Sequence, residues 1–452
     1  MRPIYRMRAD EVMTPTLLEN YIEYVKPELA RREKLFNYYT GKHAISNRVY
    51  ADATKPNNKV VSPYPHYITD FSTGYFVGEP IRYEAPEGVD LEPVLKYNDD
   101  SAVNTALAKN CSICGYAYEL AFIDKYGEYR YISLDPTKTF AIYDDSLEQE
   151  ILYAIRLYDE YDVANKRWIH YAEVYSKESK ATYRKVSTLY ELIDEQPNFL
   201  SEVPVVEYIN NEEGLGDFEL CVSLIDAYDS VMSDAVNESA EFADAYLVLT
   251  GMMGTDDDDI TAMKANRVLL MDTDASAQWL TKTADSTNAE NMKNRIDTEI
   301  HKFSGVPDMT DQSFASNASG VAMKYKLLGL EDITAKKETE FRRGLARRIE
   351  LYSEYAEFLF AGFDFRDVRF IFTRNLPSNL DETADLLSKI GHLLSTETQL
   401  KMLPLDIDVP EELDRIKAEK LAGYDDGFYN PSESAFKDDS TAFSDSDEEE
   451  PV

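Results

Sequence analysis

Two clusters in this sequence contain residues of the type and spacing used in metal chemistry. Cys111 and Cys114 form a CxxC pair, and Asp256 to Asp259 are four consecutive carboxylates. A structural zinc site needs four ligands, and neither a second CxxC nor a neighbouring histidine supplies the other two. Calcium loops place their ligands at alternating positions with a glycine and a closing glutamate, and that spacing is absent. We therefore expect buried reduced thiols, an exposed solubilising turn, and no metal or cofactor.

The remaining candidates for catalysis do not form a recognisable constellation. The sequence lacks the phosphate-binding pattern GxxxxGK[ST], the metalloprotease pattern HExxH and the nucleophile pattern GxSxG. None of the five histidines lies in a motif with a Ser or Cys nucleophile: they are His43, His66, His170, His301 and His392. Pairs of acidic residues give almost no information about acid/base catalysis in a chain that contains 84 acidic residues. The sequence therefore predicts that the protein is not an enzyme.

The charge of the chain limits its partners. The 452 residues include 47 basic and 84 acidic ones, giving a formal net charge of -37. Wrapping of DNA needs clustered Lys and Arg, so any DNA contact is expected to be weak or local. Residues 424–452 form a tail rich in Ser and Asp, which cannot bury enough apolar surface to offset its ordering entropy. We expect this tail to be disordered, either as a solvating segment or as one that binds a partner.

The chain carries no pattern that indicates secretion or a membrane. Its first residues, MRPIYRMRADEVM, lack a continuous apolar core, and no uncharged apolar run is long enough to cross a bilayer. Three cysteines also fit a reducing compartment. We expect a protein that is made and used in a cytoplasm.

The first half of the chain reads as helices followed by strands. Residues 1 to about 50 have helical spacing of apolar residues, and further helices are predicted from about Leu91 and over Ser101 to Ile123. From Tyr116 to Tyr208 the sequence is dense in Tyr, Ile and Val with apolar alternation, which predicts an antiparallel meander. The mixture of elements indicates an α+β fold.

The second half returns to helical patterns. An apolar stripe from Leu220 to Ala235 predicts a helix, and its acids collect on the opposite, polar side. These acids are Asp226, Asp229, Asp234, Glu238 and Glu241. Two strand-like runs follow, Tyr246 to Thr250 and Val268 to Met271, and then a helix from about Asn288 to Phe303.

A polar segment, PDMTDQSFASNASG, then leads into a run that no proline interrupts before Pro377. A helix from about Ser319 past Leu359 would be roughly 65 Å long at about 1.5 Å per residue. Its first turns place Val321, Tyr325, Leu328 and Ile333 close to one face. This pattern predicts one amphipathic rod with a loop at its tip.

Three segments resemble the portal proteins of long-tailed double-stranded DNA bacteriophages. They are NKVVSPYPHYITDFSTGYFVGEPIRYE (Asn58 to Glu84), LIDAYDSVMSDAVNESAEFADAYLVLTG (Leu224 to Gly251) and SGVAMKYKLLGLED (Ser319 to Asp332). They lie in the same order as in that family, and the resemblance covers most of residues 20 to 400. The names given below to parts of the chain come from this resemblance and not from periodicity.

The resemblance implies a portal-type fold divided as follows: 1–215, N-terminal helices and a β-rich wing; 216–246, first stem helix; 247–286, a small α/β clip; 287–306, second stem helix; 307–319, tunnel loop; 320–380, a very long helix and a return to the wing; 381–423, helical crown; 424–452, the acidic tail. The strand Val368 to Arg374 would join the wing.

The function implied by the resemblance is mechanical. Portal subunits form a closed ring, commonly a dodecamer, at one capsid vertex of the virion, and the genome enters and leaves through its channel. The implied partners are other copies of the chain, double-stranded DNA, the terminase, the major capsid and scaffolding proteins, and head-completion adaptor proteins. Such a particle is assembled in the bacterial host cytoplasm.

The resemblance also suggests roles for individual residues. Acids of the first stem helix would line the channel, because repulsion of phosphates lets DNA slide. Only the tip of the tunnel loop would approach the duplex, and its candidate residues are Met309, Thr310, Asp311, Gln312, Ser313, Phe314, Ala315, Ser316 and Asn317. Its apolar members, Met309 and Phe314, would equally well pack beneath the loop. Leu247 to Lys282 would be the docking surface of the clip, with Asp256, Asp257, Asp258, Asp259 and Trp279 as its candidate residues.

A closed ring needs two complementary faces on each subunit. The long helix concentrates cations that would serve one of them: Lys336, Lys337, Arg342, Arg343, Arg347 and Arg348. Salt bridges within one subunit are an equally good explanation of these residues.

Two other classes of protein remain open from the sequence. One is a ring-forming capsid or tail-connector protein that does not conduct DNA, and the other is a cytoplasmic enzyme or peptide-binding module whose acidic surface keeps it dissolved.

Overall fold

The computed structural model describes residues 3–52, 55–242, 246–250, 256, 258, 261, 276–280, 286–309, 325–359, 361–375, 380–403 and 409–421. Two units divide the chain, residues 1–375 and 376–452. The described helices are α1 (Pro15–Tyr39), α2 (Tyr64–Val77), α3 (Glu92–Asn98), α4 (Asp100–Cys114), α5 (Val222–Phe242), α6 (Ser286–Ser304), α7 (Leu328–Phe358), α8 (Leu380–Ile390), α9 (Thr396–Met402) and α10 (Val409–Leu421). The fold is mixed α+β, as the sequence predicts.

The described strands are β1 (Arg82–Glu84), β2 (Tyr116–Ile123), β3 (Tyr129–Leu134), β4 (Thr139–Tyr143), β5 (Ile151–Asp162), β6 (Arg167–Tyr175), β7 (Ser179–Val186), β8 (Leu189–Pro197), β9 (Val205–Ile209), β10 (Tyr246–Thr250), β11 (Ser276–Leu280) and β12 (Arg369–Ile371). Strands β4 to β8 pair consecutively and antiparallel, which confirms a meander. Strands β3, β2 and β9 form a separate sheet, because the chain returns after β8 and pairs β9 with β2.

The long helix α7 packs into the largest core of the first unit. Its buried face runs through Leu330, Phe341, Leu345 and Ile349. The apolar face predicted for the first turns of this helix is wrong at Tyr325 and Leu328, because these residues are 75% and 54% exposed and do not face the core. Helix α7 begins at Leu328 and ends at Phe358, and residues 310–324 lie outside the described part of the chain.

Helix α4 ends earlier than the predicted Ser101 to Ile123. Gly115 follows Cys114 with φ of 81°, a left-handed conformation that favours glycine and terminates helices. A Cβ on Gly115 would lie 2.0 Å from the carbonyl oxygen of Gly214, so the close approach of two backbones also requires glycine there. The alternating run from Tyr116 onward then forms β2 instead of helix.

Other predicted elements are confirmed or corrected by the pairing of strands. The run Tyr246 to Thr250 is β10, as predicted, and its antiparallel partner is β11, which the sequence pattern did not indicate. The other predicted run, Val268 to Met271, lies outside the described residues. Strand β12, within the predicted Val368 to Arg374, pairs with β1 and not with the meander.

In the second unit, where the resemblance implies a helical crown over residues 381–423, the described residues form the three helices α8, α9 and α10. Helix α8 ends at Ile390, where a short 3-10 turn over Gly391–Leu393 follows. The side chain of Ser395 then accepts a hydrogen bond from the backbone N–H of Thr398 and caps α9. Residues 424–452, the predicted disordered tail, lie outside the described part of the chain.

Candidate functional site

Helices α5 and α6 pack against each other in opposite directions. The thiol of Cys221, just before α5, lies 3.9 Å from the carbonyl oxygen of Ile300, near the end of α6. Along the chain, β10 follows α5 and β11 precedes α6, and the two strands pair in a register that joins Tyr246 to Leu280. The described parts of the chain therefore form, in order, α5, two paired strands and an antiparallel return along α6.

One face of α5 is buried although its residues are polar. Asp229, Ser233 and Asn237 recur every fourth residue and are at most 7% exposed. They accept hydrogen bonds from the backbone N–H groups of Ser62, Val60 and Asn58, respectively, at 2.7 to 2.9 Å. This polar face therefore satisfies the backbone of an extended segment, Asn58 to Ser62, which has no strand partner among the described residues.

The acids expected to line a channel have different surroundings. Asp229 is fully buried and bonds His43 Nδ1 at 2.6 Å, so it cannot face a lumen, and this expectation is corrected. The carboxylate of Asp226 is half-buried and accepts a hydrogen bond from the hydroxyl of Tyr38. Asp234 pairs with Arg48 but its side chain is 60% exposed. Glu238 is half-buried, and the side chain of Glu241 lies outside the described residues.

Replacing Asp229 by Ala should destabilise the protein by at least about 2 kcal/mol. The substitution leaves the ring nitrogen of His43 and the N–H of Ser62 buried without their acceptor, and each such group costs about 1–3 kcal/mol. Urea denaturation measures the change. Asp234→Ala is the matched control and should cost less than about 1 kcal/mol, because the Asp234 side chain is 60% exposed and water can replace it as a partner of Arg48. Equal losses in both variants would contradict this description of α5.

The segment that follows α6 is fixed at its start by side chains from α2 and α6. Tyr67 donates its hydroxyl proton to the carbonyl oxygen of Pro307 at 2.8 Å, and its oxygen accepts from the N–H of Met309. His301 Nδ1 lies 2.9 Å from the carbonyl oxygen of Val306. The sequence predicts this role for neither Tyr67 nor His301, because no local pattern marks a tyrosine that bonds a backbone 240 residues away. The candidates Thr310 to Asn317 lie outside the described residues.

Among the cations of α7, Arg348 has the most enclosed surroundings. Its guanidinium is 1% exposed and bonds the carboxylates of Glu119 and Asp100. It also donates to Asn104 Oδ1 and lies over the ring of Tyr131, 4.4 Å from its centroid. Burial raises the pKa of Glu119, and the positive charge of Arg348 opposes this rise. Arg348 therefore joins α7, α4 and β2 within one subunit.

Lys337 is also an internal residue. Its ammonium group bonds the carboxylate of Asp217 and the hydroxyl of Ser72, and the side chain is 6% exposed. Because a side chain enclosed by its own subunit cannot contact a neighbour, Lys337 and Arg348 are removed from the expected ring interface.

The other four cations of α7 are more accessible. Arg343 is 73% exposed and pairs with Glu340 one turn earlier, and Lys336 is exposed. Arg347 bonds Glu202 and Glu350, while Arg342 bonds Glu338 and the carbonyl oxygen of Phe370. Intramolecular pairing therefore accounts for most of this cationic cluster.

The cysteines and the acidic turn have the surroundings expected from the sequence where they are described. Cys111 and Cys114 are free and buried, and burial raises the pKa of the Cys114 thiol to about 12. Asp256 and Asp258 are exposed, and the N–H of Asp258 donates to the Asp256 carboxylate. Asp257 and Asp259 lie outside the described residues, as does the side chain of Trp279 in β11. Among the described helices, none combines the length and apolar character needed to cross a membrane.

Comparisons with known proteins define the class to which this protein belongs. The chain is 27% identical to a portal protein of Bacillus phage SPP1 over 447 residues, which are 91% of this chain and 88% of the relative. It is 26% identical to a portal protein of Clostridium phage phiCD119 over 447 residues, 89% of this chain and 95% of the relative. Both relatives are portal proteins of bacteriophages.

The family model for phage portal proteins of the SPP1 Gp6-like type matches residues 18–422. The chain belongs to this SPP1 Gp6-like portal protein family. It is a structural protein of the phage virion, located at a capsid vertex, where it forms the conduit for packaging of DNA.

Solved structures with some similarity include the neck of a native GTA particle, computed with C12 symmetry, and the neck of an empty GTA particle, computed with C6 symmetry. Their TM-scores are 0.46 and 0.45, with 12% and 13% identity. Each covers 76% of this chain and 90% of the other.

Proposed function

We propose that copies of this chain form a closed ring whose channel is lined by α5 and α6. The resemblance to portal proteins suggests a ring of twelve copies, the number common among them. In this proposal residues 216–246 and 287–306 are the stem helices and residues 247–286 the clip. Residues 307–319 are the tunnel loop, and the long helix within 320–380 lies behind it. The observation that carries the proposal is the antiparallel α5–α6 pair, which has a two-stranded sheet at one end and the anchored start of the loop at the other.

The remaining parts follow the same order. The N-terminal helices and the meander within 1–215, with the return strand β12, are proposed as the peripheral wing, and residues 381–423 as the crown. Residues 424–452 are proposed as a disordered acidic extension. The pairing of β12 with β1 supports a contribution of this strand to the N-terminal part of the subunit.

The lumen is proposed to be negative through the acids of α5 that are not fully buried. Asp234 is exposed, Glu238 is half-buried, and Glu241 continues the same helix. A positive lining would bind DNA by releasing counterions, and each contact would have to be broken as the duplex moves. Acids avoid this cost and leave contact with DNA to the tunnel loop, Met309 to Asn317.

The proposed contact between neighbouring subunits uses the accessible cations of α7. Lys336 and Arg343 are the most exposed members, and a ring interface needs such a face opposite an acidic one. Arg342 and Arg347 would serve only by exchanging a present intramolecular partner. Together these four residues offer a cationic patch in a chain whose net charge is -37.

The partners proposed for the clip are the terminase during filling and head-completion adaptor proteins afterwards. The candidate docking residues are Asp256 to Asp259 and Trp279, and the exposure of Asp256 and Asp258 supports an accessible surface. Major capsid and scaffolding proteins are the partners proposed for the wing.

Reversing charge on α5 tests the proposed lumen. The double variant Asp234→Lys, Glu238→Lys replaces two acids by two cations in every subunit. Because the change is repeated around the ring, the channel should become positive and retain DNA. We expect purified rings of this variant to bind duplex DNA with a strong decrease in affinity as salt rises, and phage carrying it to yield fewer DNA-filled heads. A filter-binding assay across salt concentrations and electron microscopy of heads measure the two effects.

The matched control carries the same change of charge on the meander, Glu160→Lys with Glu191→Lys, two exposed positions on β5 and β8. It should bind DNA no better than the unmodified protein and should fill heads normally. Equal DNA binding by both double variants would show that α5 has no special access to the duplex and would contradict the proposed lumen.

A further inference from the structure

Three potential metal ligands meet at the base of the proposed tunnel loop. Asp297 and His301 lie one turn apart on α6, and Asp308 follows Pro307. One ligand atom from each residue lies within 4.8 Å of the other two. None of the three is fully exposed, and the His301 side chain is 14% exposed. The cluster is unlike the acidic turn at Asp256, because it combines an imidazole with carboxylates from two separate segments.

The hydrogen bonds around the cluster orient its ligand atoms. Because a carbonyl oxygen only accepts, His301 Nδ1 must donate its proton to Val306, which leaves Nε2 as the nitrogen that faces Asp297 Oδ1 at 3.5 Å. Metal-binding histidines commonly donate their second ring nitrogen to a backbone carbonyl in this way. Tyr64 donates its hydroxyl proton to the same Asp297 oxygen and so fixes the position of this carboxylate.

We propose that Asp297, His301 and Asp308 bind a divalent cation of the first transition row or zinc, here Zn²⁺ or Mn²⁺, with water completing its coordination. One imidazole nitrogen and two carboxylates suit these ions better than Ca²⁺ or Mg²⁺, which take oxygen ligands. The ion would join the end of α6 to Asp308 and, with Tyr67, fix the point at which the following segment begins. That this segment is a tunnel loop rests on the proposed function, whereas binding of the ion does not.

Metal analysis of the full-length assembled protein tests the site. After removal of metals with EDTA, the protein is incubated with ZnCl₂ or MnCl₂, and bound metal per subunit is measured by mass spectrometry after dialysis. We expect one ion per subunit, a loss of binding in His301→Gln and Asp308→Asn, and an affinity about tenfold or more lower in Tyr64→Phe, since residues that orient ligands typically contribute 10–100-fold.

The matched control is His66→Gln. His66 and Asp70 are also a His–Asp pair one turn apart on a helix, but they belong to no described cluster of three ligands. This variant should keep its metal. Metal-free melting curves that match the unmodified protein show that the site variants are folded.

X-ray absorption at the bound metal provides a readout that does not depend on any variant, and it should show one nitrogen among oxygen ligands. The absence of a bound ion would show that the contact between His301 and Asp297 does not serve metal binding, and an all-oxygen shell would place the metal elsewhere. Either result overturns the proposal. The metal content is measured without reference to DNA or packaging, so its failure is distinct from failure of the proposed channel.

Discussion

Replacement of Arg348 by Met should lower the free energy of unfolding by about 3–5 kcal/mol, because removing one partner of a buried ion pair leaves uncompensated charge in the core. Arg348 is 1% exposed, and it bonds Glu119, which is 0% exposed, and Asp100. Methionine fills a similar volume but donates no hydrogen bond to either carboxylate. Urea denaturation of the full-length protein measures the loss, and a reduced soluble yield should accompany it.

The matched control for this prediction is Arg343→Met on the same helix. Arg343 is 73% exposed and its ion pair is with Glu340 on the same helix, so its loss should change the free energy of unfolding by less than about 1 kcal/mol. Arg348→Lys should be intermediate, because an ammonium group keeps the charge but cannot reproduce the planar fork that bonds two carboxylates. If Arg348→Met were as stable as Arg343→Met, the buried network would not be holding α7 in place.

Replacement of Met309 to Asn317 by Gly and Ser of equal length should reduce DNA-filled heads to the background of phage that lacks the protein. The substitution removes every side chain proposed to approach the duplex, including the apolar Met309 and Phe314. The anchor between Tyr67 and Pro307 uses a backbone carbonyl outside the replaced range and should persist. Electron microscopy of heads counts those filled with DNA.

The same experiment separates the loop from the ring. The variant rings should have the diameter and subunit number of the unmodified protein, since the loop is not proposed to form the ring interface. A control replacement of residues 145–148, which are exposed and lie between β4 and β5, should leave packaging unchanged. Normal filling by the loop variant would remove the assignment of residues 307–319 while leaving the fold and the family unaffected.

Helix and strand types in this protein were predictable from periodicity where one face is apolar and the other polar. The Tyr- and Val-rich alternation between Tyr116 and Tyr208 gave the meander, and helix α6 extends one or two residues beyond the predicted Asn288 to Phe303. Helix α7 ends at Phe358, slightly short of the predicted continuation past Leu359. These features depend on local sequence, so they can be inferred without tertiary contacts.

The environment of individual charges was not predictable in the same way. On α5 the row of acids predicts a solvated face, yet Asp229 is buried against a segment more than 160 residues earlier in the chain. Lys337 and Arg348 likewise look like surface cations until their partners in Asp217 and Glu119 are known. A buried ion pair has no local signature, because each partner alone has the composition of a surface residue.

Electron cryomicroscopy of the purified full-length assembly would show whether α5 and α6 line a DNA channel. We expect a closed ring with an open axial hole wide enough for double-stranded DNA, in which α5 and α6 face the hole and Arg343 lies toward the neighbouring subunit. A population without hollow rings, or rings in which α5 and α6 lie on the outer surface, would contradict it.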